Sequence, residues 1–300
     1  MNGLLRVTFV ALLSGASVTA VALDMENFTV DGDATFVWDD NESQAQWERD
    51  QVEDRSLIVG AQLGYGHLLS QTSMLTGSVF AEQKIMDKVG QLDRTSLGLK
   101  GAYRWQPSSA FTAPTIEFNI AWQDDNYGDE ARDSGVLTSQ LFVTRRLTDR
   151  ITGTAGLQYR SRDSSGSVWD LDDARIFLNV DYGISDALAT YFTYSYIQGD
   201  SSSSAQRSYC NGAAATDILP LINVATEIEA DEAFNEYHCG DWLAYRLDAH
   251  SHTAVLGANY GFSHSFSADL SFLYADVISD DDADISYQRH MIRASLLKRF

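Results

Sequence analysis

The 300-residue sequence is short of several things, and each shortage excludes a class. It has only three prolines and 21 glycines, so it is neither collagen-like nor proline-rich. Its two cysteines, Cys210 and Cys239, are too few for a disulfide scaffold. Lys and Arg total 21 against 42 Asp and Glu, a net charge of −21, which argues against a nucleic-acid partner. Beyond residue 22 no run of about 18 apolar residues occurs, so no membrane-spanning helix is expected there. What remains is ordinary in proportion. Hydrophobic residues make up 44% and charged residues 21%, enough to bury a sizeable apolar surface.

The N-terminus has the form of an export signal. Residues 1–6 carry one positive charge, residues 7–22 are small and apolar, and Ala20-Val21-Ala22 fits a signal-peptidase site. A signal peptide over 1–22 and a mature chain over 23–300 are expected. Export implies an oxidising compartment, where Cys210 and Cys239 can pair. On the chain-entropy model that bridge stabilises by roughly 3 kcal/mol.

The mature chain alternates to its last residue. Phe28, Val30, Gly32, Ala34, Phe36 and Trp38 are apolar or small, with Thr29, Asp31, Asp33 and Thr35 between them. This is the period of a strand with one oily face. The pattern recurs in twelve segments of about 9–12 residues, the length of a tilted strand crossing a bilayer. Connections alternate between short and long. Residues 70–73, 106–113, 148–150, 185–187 and 263–265 are short; 39–54, 86–93, 124–133, 163–173, 200–243 and 276–285 are long. The expected fold is all-β: a single antiparallel transmembrane β-barrel of about twelve strands, with short turns at one end and long loops at the other. Tyr65, Tyr103, Trp105, Tyr182, Tyr260 and Phe266 fall towards the short-turn end, and Trp38, Trp122, Tyr159, Tyr196 and Tyr274 towards the other. Amphipathic rings prefer the two headgroup levels, so two girdles result.

These features resemble a Gram-negative outer-membrane β-barrel protein of the porin-like kind. Phe300 closes a face shared with Leu296, Ala294 and Ile292, and it resembles the C-terminal aromatic signal of that class. Lys298 departs from the hydrophobic residue usual at its place. The resemblance implies location in the cell outer membrane and Phe300 as an assembly signal. It implies periplasmic chaperones, the barrel-assembly machinery, outer-membrane lipid and lipopolysaccharide as partners.

Charge is sorted by position. Most of the 42 acidic residues fall in the long loops, with Arg49, Lys88, Arg132 and Arg207 as the only bases there. Asp280-Asp281-Asp282 is the densest cluster, and Asp170, Asp172 and Asp173 form another. Such a rim could concentrate cations or bind Ca²⁺, or be a solvated surface. Assigning the polar faces to the lumen gives Glu82, Lys100, Arg104, Glu117, Arg146, Arg160, Arg175, Asp181 and Arg293 as pore-lining candidates. Lys84, Arg94, Arg162, Arg289, Asp31, Asp33 and Asp269 join them. Either the bases line a water-filled channel for small hydrophilic solutes or ions, or acids and bases pair across the lumen and close it.

Segment 200–243 holds both cysteines and an apolar stretch, 218–224, suited to a constriction, a cover for the mouth or a docking site. His250-Ser251-His252 is the only histidine cluster. Its two imidazoles share one strand face and could ligate a metal with Asp248; Ser251 points the other way, and no Gly-x-Ser-x-Gly elbow occurs. No catalytic residue, metal or cofactor is assigned. The leading functional expectation is a passive porin-like channel. The alternatives are a closed barrel acting through its loops and a membrane-embedded lipid- or lipopolysaccharide-modifying enzyme.

Overall fold

The computed structural model describes residues 27–108, 110–280 and 285–300. The signal peptide expected over residues 1–22, together with Asp281 and Asp282, lies outside the described residues. Twelve antiparallel strands close into a barrel. They are β1 (Phe28–Asp39), β2 (Asp54–Ser70), β3 (Ser73–Met86), β4 (Arg94–Trp105), β5 (Thr115–Tyr127) and β6 (Ser134–Arg146). β7 (Ile151–Ser164), β8 (Leu171–Gly183), β9 (Leu188–Ser208), β11 (Asp241–Ser263), β12 (Phe266–Ser279) and β13 (Ser286–Arg299) complete it. A short strand β10 (Glu227–Ala230) pairs with β11 outside the ring, where helices α1 (Leu219–Val224) and α2 (Glu232–Tyr237) also lie. β13 pairs with β1 from Asp31–Arg299 to Asp39–Met291, so the ring has no free edge.

Alternation sets the two faces. Leu97, Leu99, Ile176, Leu178, Leu256 and Leu270 are each more than half exposed on the outer wall. Their neighbours in sequence turn inward, and most of them are polar or glycine, as Ser96, Gly98, Lys100, Arg175, Asn179, Gly257, Asp269 and Ser271 are. Lipid can cover such an apolar outer band, and closure satisfies the backbone groups that lipid cannot. No described helix is long and apolar enough to cross a membrane; the crossing elements are strands. Tyr65, Tyr103, Trp105, Tyr182 and Tyr260 are exposed towards the short turns, and Trp122 and Tyr159 towards the long loops.

The strongest packing sits at the long-loop end. β9 and β11 run well past their neighbours. β8 leaves β9 at Asp173–Gly199, whereas β9 and β11 stay paired out to Ser208 and Asp241. The unpaired loop is therefore shorter than the 200–243 read from sequence. That reading failed because both faces of the extension are buried, so its pattern does not alternate. Trp242, Leu243, Ala244 and Tyr245 are all buried, as are Ser202, Ser203, Ser204 and Ala205. Cys210 and Cys239 form a disulfide at the tip, with Cα atoms 5.0 Å apart.

This extension is a strap across the mouth. β11 is tenth around the ring, and the loop between β3 and β4 stands opposite it. Trp242 of β11 nevertheless packs with Val89 and Leu92 of that far loop, with Val52 from the β1–β2 loop and with Phe234 of α2. The other face of the strap, Leu243, Tyr245 and Leu247, packs on Ile218, Leu221 and Ile285. Ile218 and Leu221 thus belong to the cover over the mouth, one of the roles open to segment 218–224. Ala244 meets Val168 and Trp169 of the β7–β8 loop.

Gly199 marks where β9 leaves the wall. Its φ is +144°, and a Cβ there would stand 2.1 Å from the Asp172 carbonyl oxygen. Only glycine fits both constraints. Gly199→Ala should therefore displace the strap while the barrel keeps its sheet content, at a cost of about 1–3 kcal/mol. Faster tryptic cleavage after Arg207 with unchanged far-ultraviolet dichroism is the expected result.

Candidate functional site

The site is the lumen and the collar of loops that closes it. The collar is built from a repeated device. Single 3₁₀ turns at Gly90–Leu92, Glu130–Arg132 and Ser167–Trp169 are each followed by an aspartate. The Asp93, Asp133 and Asp170 carboxylates accept from the backbone N–H of Met86 (2.6 Å), Tyr127 (2.6 Å) and Ser164 (2.5 Å), the ends of the preceding strands. Asp54 accepts from Lys88 and Val89 N–H at 3.0 and 2.9 Å. Each such charge-assisted bond is worth about 1.5–3 kcal/mol. Successive loops also bond backbone to backbone. Gly128 N–H donates to the Asp93 carbonyl at 3.1 Å, and Ser165 N–H to the Asp133 carbonyl at 2.9 Å.

Several loop and strand-end acids are therefore not a solvated surface. Asp39, Asp50, Asp54, Asp125, Asp129, Asp173 and Asp231 are all buried. Arg132 joins two loops by donating to Asp129 at 3.1 Å and Asp231 at 3.0 Å, and its guanidinium lies 3.5 Å from the centre of the Trp169 ring. Arg246 donates to the Ser167 and Asp170 carbonyls at 3.0 and 2.6 Å, tying the strap to the β7–β8 loop. Sequence reasoning missed this function of the acids. The signal was present: an aspartate starts or directly precedes each of β2, β4, β6 and β8.

Along the wall, acids pair with bases on adjacent strands rather than across the bore. Arg104 meets Glu117 at 2.8 Å, Arg160 meets Asp173 at 2.5 Å, Arg299 meets Asp31 at 2.8 Å, and Arg94 meets Glu82. Arg175 donates to Ser195 Oγ at 2.9 Å, and Asp181 accepts from Asn179 at 2.8 Å. Lys100 and Arg293 sit on the same inward face with no ion pair within 4.0 Å among the described residues, and Arg146 lies 5.1 Å from the centre of the Phe111 ring. All nine pore-lining candidates thus fall on the face opposite the exposed apolar residues.

Inward aromatic residues escaped the sequence reading. Phe80 pairs in register with Gly98, Phe177 and Phe142 with Gly156, and Tyr191 with Gly257. A Cβ on Gly98, Gly156 or Gly257 would fall within 2.5 Å of one of those rings. The rings of Phe80, Phe177 and Tyr191 therefore each lie over a glycine, against the wall. Within the lumen an open chamber of about 430 Å³ remains, lined by residues of eight strands that include Asp33, Glu82, Arg94, Tyr191, Asp269 and Arg293.

The histidines lie elsewhere. His250 and His252 face outward, their rings 6.0 Å apart. His250 Nδ1 meets Asp280 at 2.6 Å, not Asp248 as the strand spacing suggested, and His252 Nδ1 meets Tyr194 at 2.7 Å. The reason is that Asp280 begins the adjacent β12–β13 loop beside His250. Ser251 turns inward, away from both imidazoles. No group of three metal-ligating side chains occurs among the described residues.

At the outer end Glu42 accepts from Lys84 at 2.9 Å and Arg289 at 3.0 Å, and Arg289 also binds Asp39. Burial pushes the Glu42 carboxyl up, but the Lys84 and Arg289 charges outweigh it and hold it at about 2, against 4.5 unperturbed. A lowered acid pKa stabilises fully above the unfolded value and is lost as pH falls through the folded one. Between about pH 4.5 and 2 the collar should lose on the order of 3 kcal/mol. Glu42→Gln should lower the thermal midpoint at pH 6 and flatten that acid-dependent fall, measured by thermal unfolding at pH 6, 3.5 and 2.

No protein-family model matches the chain, and no curated protein matches its sequence. Solved structures do match its fold. The COG4313 outer membrane channel from Pseudomonas putida F1 superposes with a TM-score of 0.58 at 10% identity, covering 91% of this chain and 95% of that one. The KdgM porin, solved in complex with disordered oligogalacturonate, gives a TM-score of 0.45 at 11% identity over 90% and 99%. A FadL homologue from Pseudomonas aeruginosa gives 0.45 at 10% identity over 92% and 90%. The feature shared with the first of these is the closed outer-membrane type of β-barrel.

Proposed function

We propose that the protein is a passive outer-membrane channel for small hydrophilic solutes, with its short turns in the periplasm and its strapped mouth outside. The observation that carries this reading is the arrangement of charge inside the barrel. A lumen meant to be sealed would join its acids and bases across the bore. Here the pairs lie along the wall and leave the 430 Å³ chamber between them. Water can hydrate such a wall, and charged side chains on it give a pore its ion preference. Glu82, Lys100, Arg104, Glu117, Arg146, Arg160, Arg175, Asp181 and Arg293 form the filter on this reading. Lys100 and Arg293, with no ion pair among the described residues, act most directly on passing ions.

The strap adds control at the outer mouth. It is anchored on the far side of the barrel by Trp242 and at its tip by the Cys210–Cys239 bridge. Exposed apolar rings on the outer wall, a lipid and lipopolysaccharide environment, and delivery through periplasmic chaperones and the assembly machinery with Phe300 as the signal all belong to the same reading.

Single-channel recording of the mature chain in a planar bilayer tests it. Discrete openings with a reproducible reversal potential under a salt gradient are expected. Lys100→Glu should move that potential towards cation preference, and removal of residues 209–240 should raise conductance. A correctly folded barrel that stays silent with and without those residues would overturn the channel reading.

A further inference from the structure

The chamber in the lumen carries a charge pattern that the wall pairing leaves incomplete. Arg94 is taken by Glu82 and by Asp125 at 3.9 Å. Arg293 is not taken. It projects from β13 opposite Ser271 on β12 and Val37 on β1, with Asp269 two residues along β12 and Asp33 four residues along β1, and no acceptor lies within ion-pair distance among the described residues. Asp33 pairs with no base among the described residues either; its carboxylate lies over Gly60, where a Cβ would stand 2.4 Å from Oδ1. Asp269 holds one partner, the Tyr191 hydroxyl, which donates at 3.0 Å. A free guanidinium thus lines the same chamber as two carboxylates that accept from no base among the described residues. Ile58, Val255 and Leu273 supply an apolar wall to the same chamber.

Free charges of both signs in one small space are best satisfied by a solute that carries both. A guanidinium takes a carboxylate through its two-pronged donor fork. A pair of carboxylates takes an ammonium, and the three aliphatic side chains take an apolar body. A bare cation would leave Arg293 unmatched, and a bare anion would meet Asp33 and Asp269 as like charges. The chamber therefore discriminates against both.

We propose that this chamber is a binding site for small zwitterions with an aliphatic body, of which an α-amino acid such as leucine is the type. The carboxylate sits on Arg293, the ammonium between Asp33 and Asp269, and the side chain against Ile58, Val255 and Leu273. Tyr191 holds Asp269 in place as a positioning residue. The proposal rests on the channel reading for its biological sense, but binding does not require conduction.

The test uses the full mature chain in detergent micelles and titration calorimetry with three probes on one carbon skeleton. Leucine carries both charges, 3-methylbutylamine the ammonium alone, and 4-methylpentanoate the carboxylate alone. Leucine is expected to bind at least about tenfold more tightly than either. Arg293→Gln should bring leucine down to the level of the amine. Asp33→Asn with Asp269→Asn should bring it down to the level of the acid. Three equal affinities, or none measurable, in the unaltered protein would overturn the proposal without any appeal to variants. Swelling of liposomes containing the protein separates the two readings. Selective leucine binding without solute flux sinks the channel and keeps the site. Flux of leucine and its single-charge analogues at one rate, with no binding preference, keeps the channel and sinks the site.

Discussion

The pairing of β13 with β1 is the constraint on which the rest of the molecule depends. A sheet edge left open in hydrocarbon would expose a row of unpaired N–H and C=O groups, each costing several kcal/mol. Closing the ring removes that edge and with it any freedom in register. Once register is set, every residue is assigned to lipid or lumen, because a slip of one position would turn each strand inside out. The aliphatic outer band, the laddered inner face and the height at which each strand leaves the wall all follow from that closure.

The long-loop end solves a different problem. The loops leave the sheet with unpaired backbone donors, and they hold no large hydrophobic core of their own. Aspartates supply the acceptors. Each collar loop tucks a carboxylate under the end of its own strand or a neighbour's, and the next loop leans on the last through backbone bonds. The apolar share of the work falls on the strap, whose two faces bury Trp242 and Tyr245 between loops from opposite sides of the ring. An acidic composition and a rigid collar are thus the same fact.

What was legible in the sequence and what was not divide along that line. Strands between lipid and lumen alternate, because two unlike solvents demand it; twelve of them and their short turns could be read directly. The strap has no solvent on either face. Its serine run and its Trp242-Leu243-Ala244-Tyr245 run carry no period, so they read as loop. Among the acids, composition could not separate capping aspartates from solvated ones; only their recurrence at the start of β2, β4, β6 and β8 could. Phe80, Phe142, Phe177 and Tyr191 were passed over because a single inward aromatic looks like noise until the glycine opposite it is known.

Those aromatic–glycine pairs have a consequence for the calibre of the barrel. A phenyl ring standing upright from the wall would reach most of the way to the axis. Laid over a glycine it adds little more than the thickness of the ring itself. The free diameter is then governed by the smallest residues in the wall and not by the largest. A lineage of such barrels could widen or narrow its passage by exchanging Gly98, Gly156 or Gly257 for alanine or serine, tipping one ring at a time, while strand number, register and inner charge stay as they are.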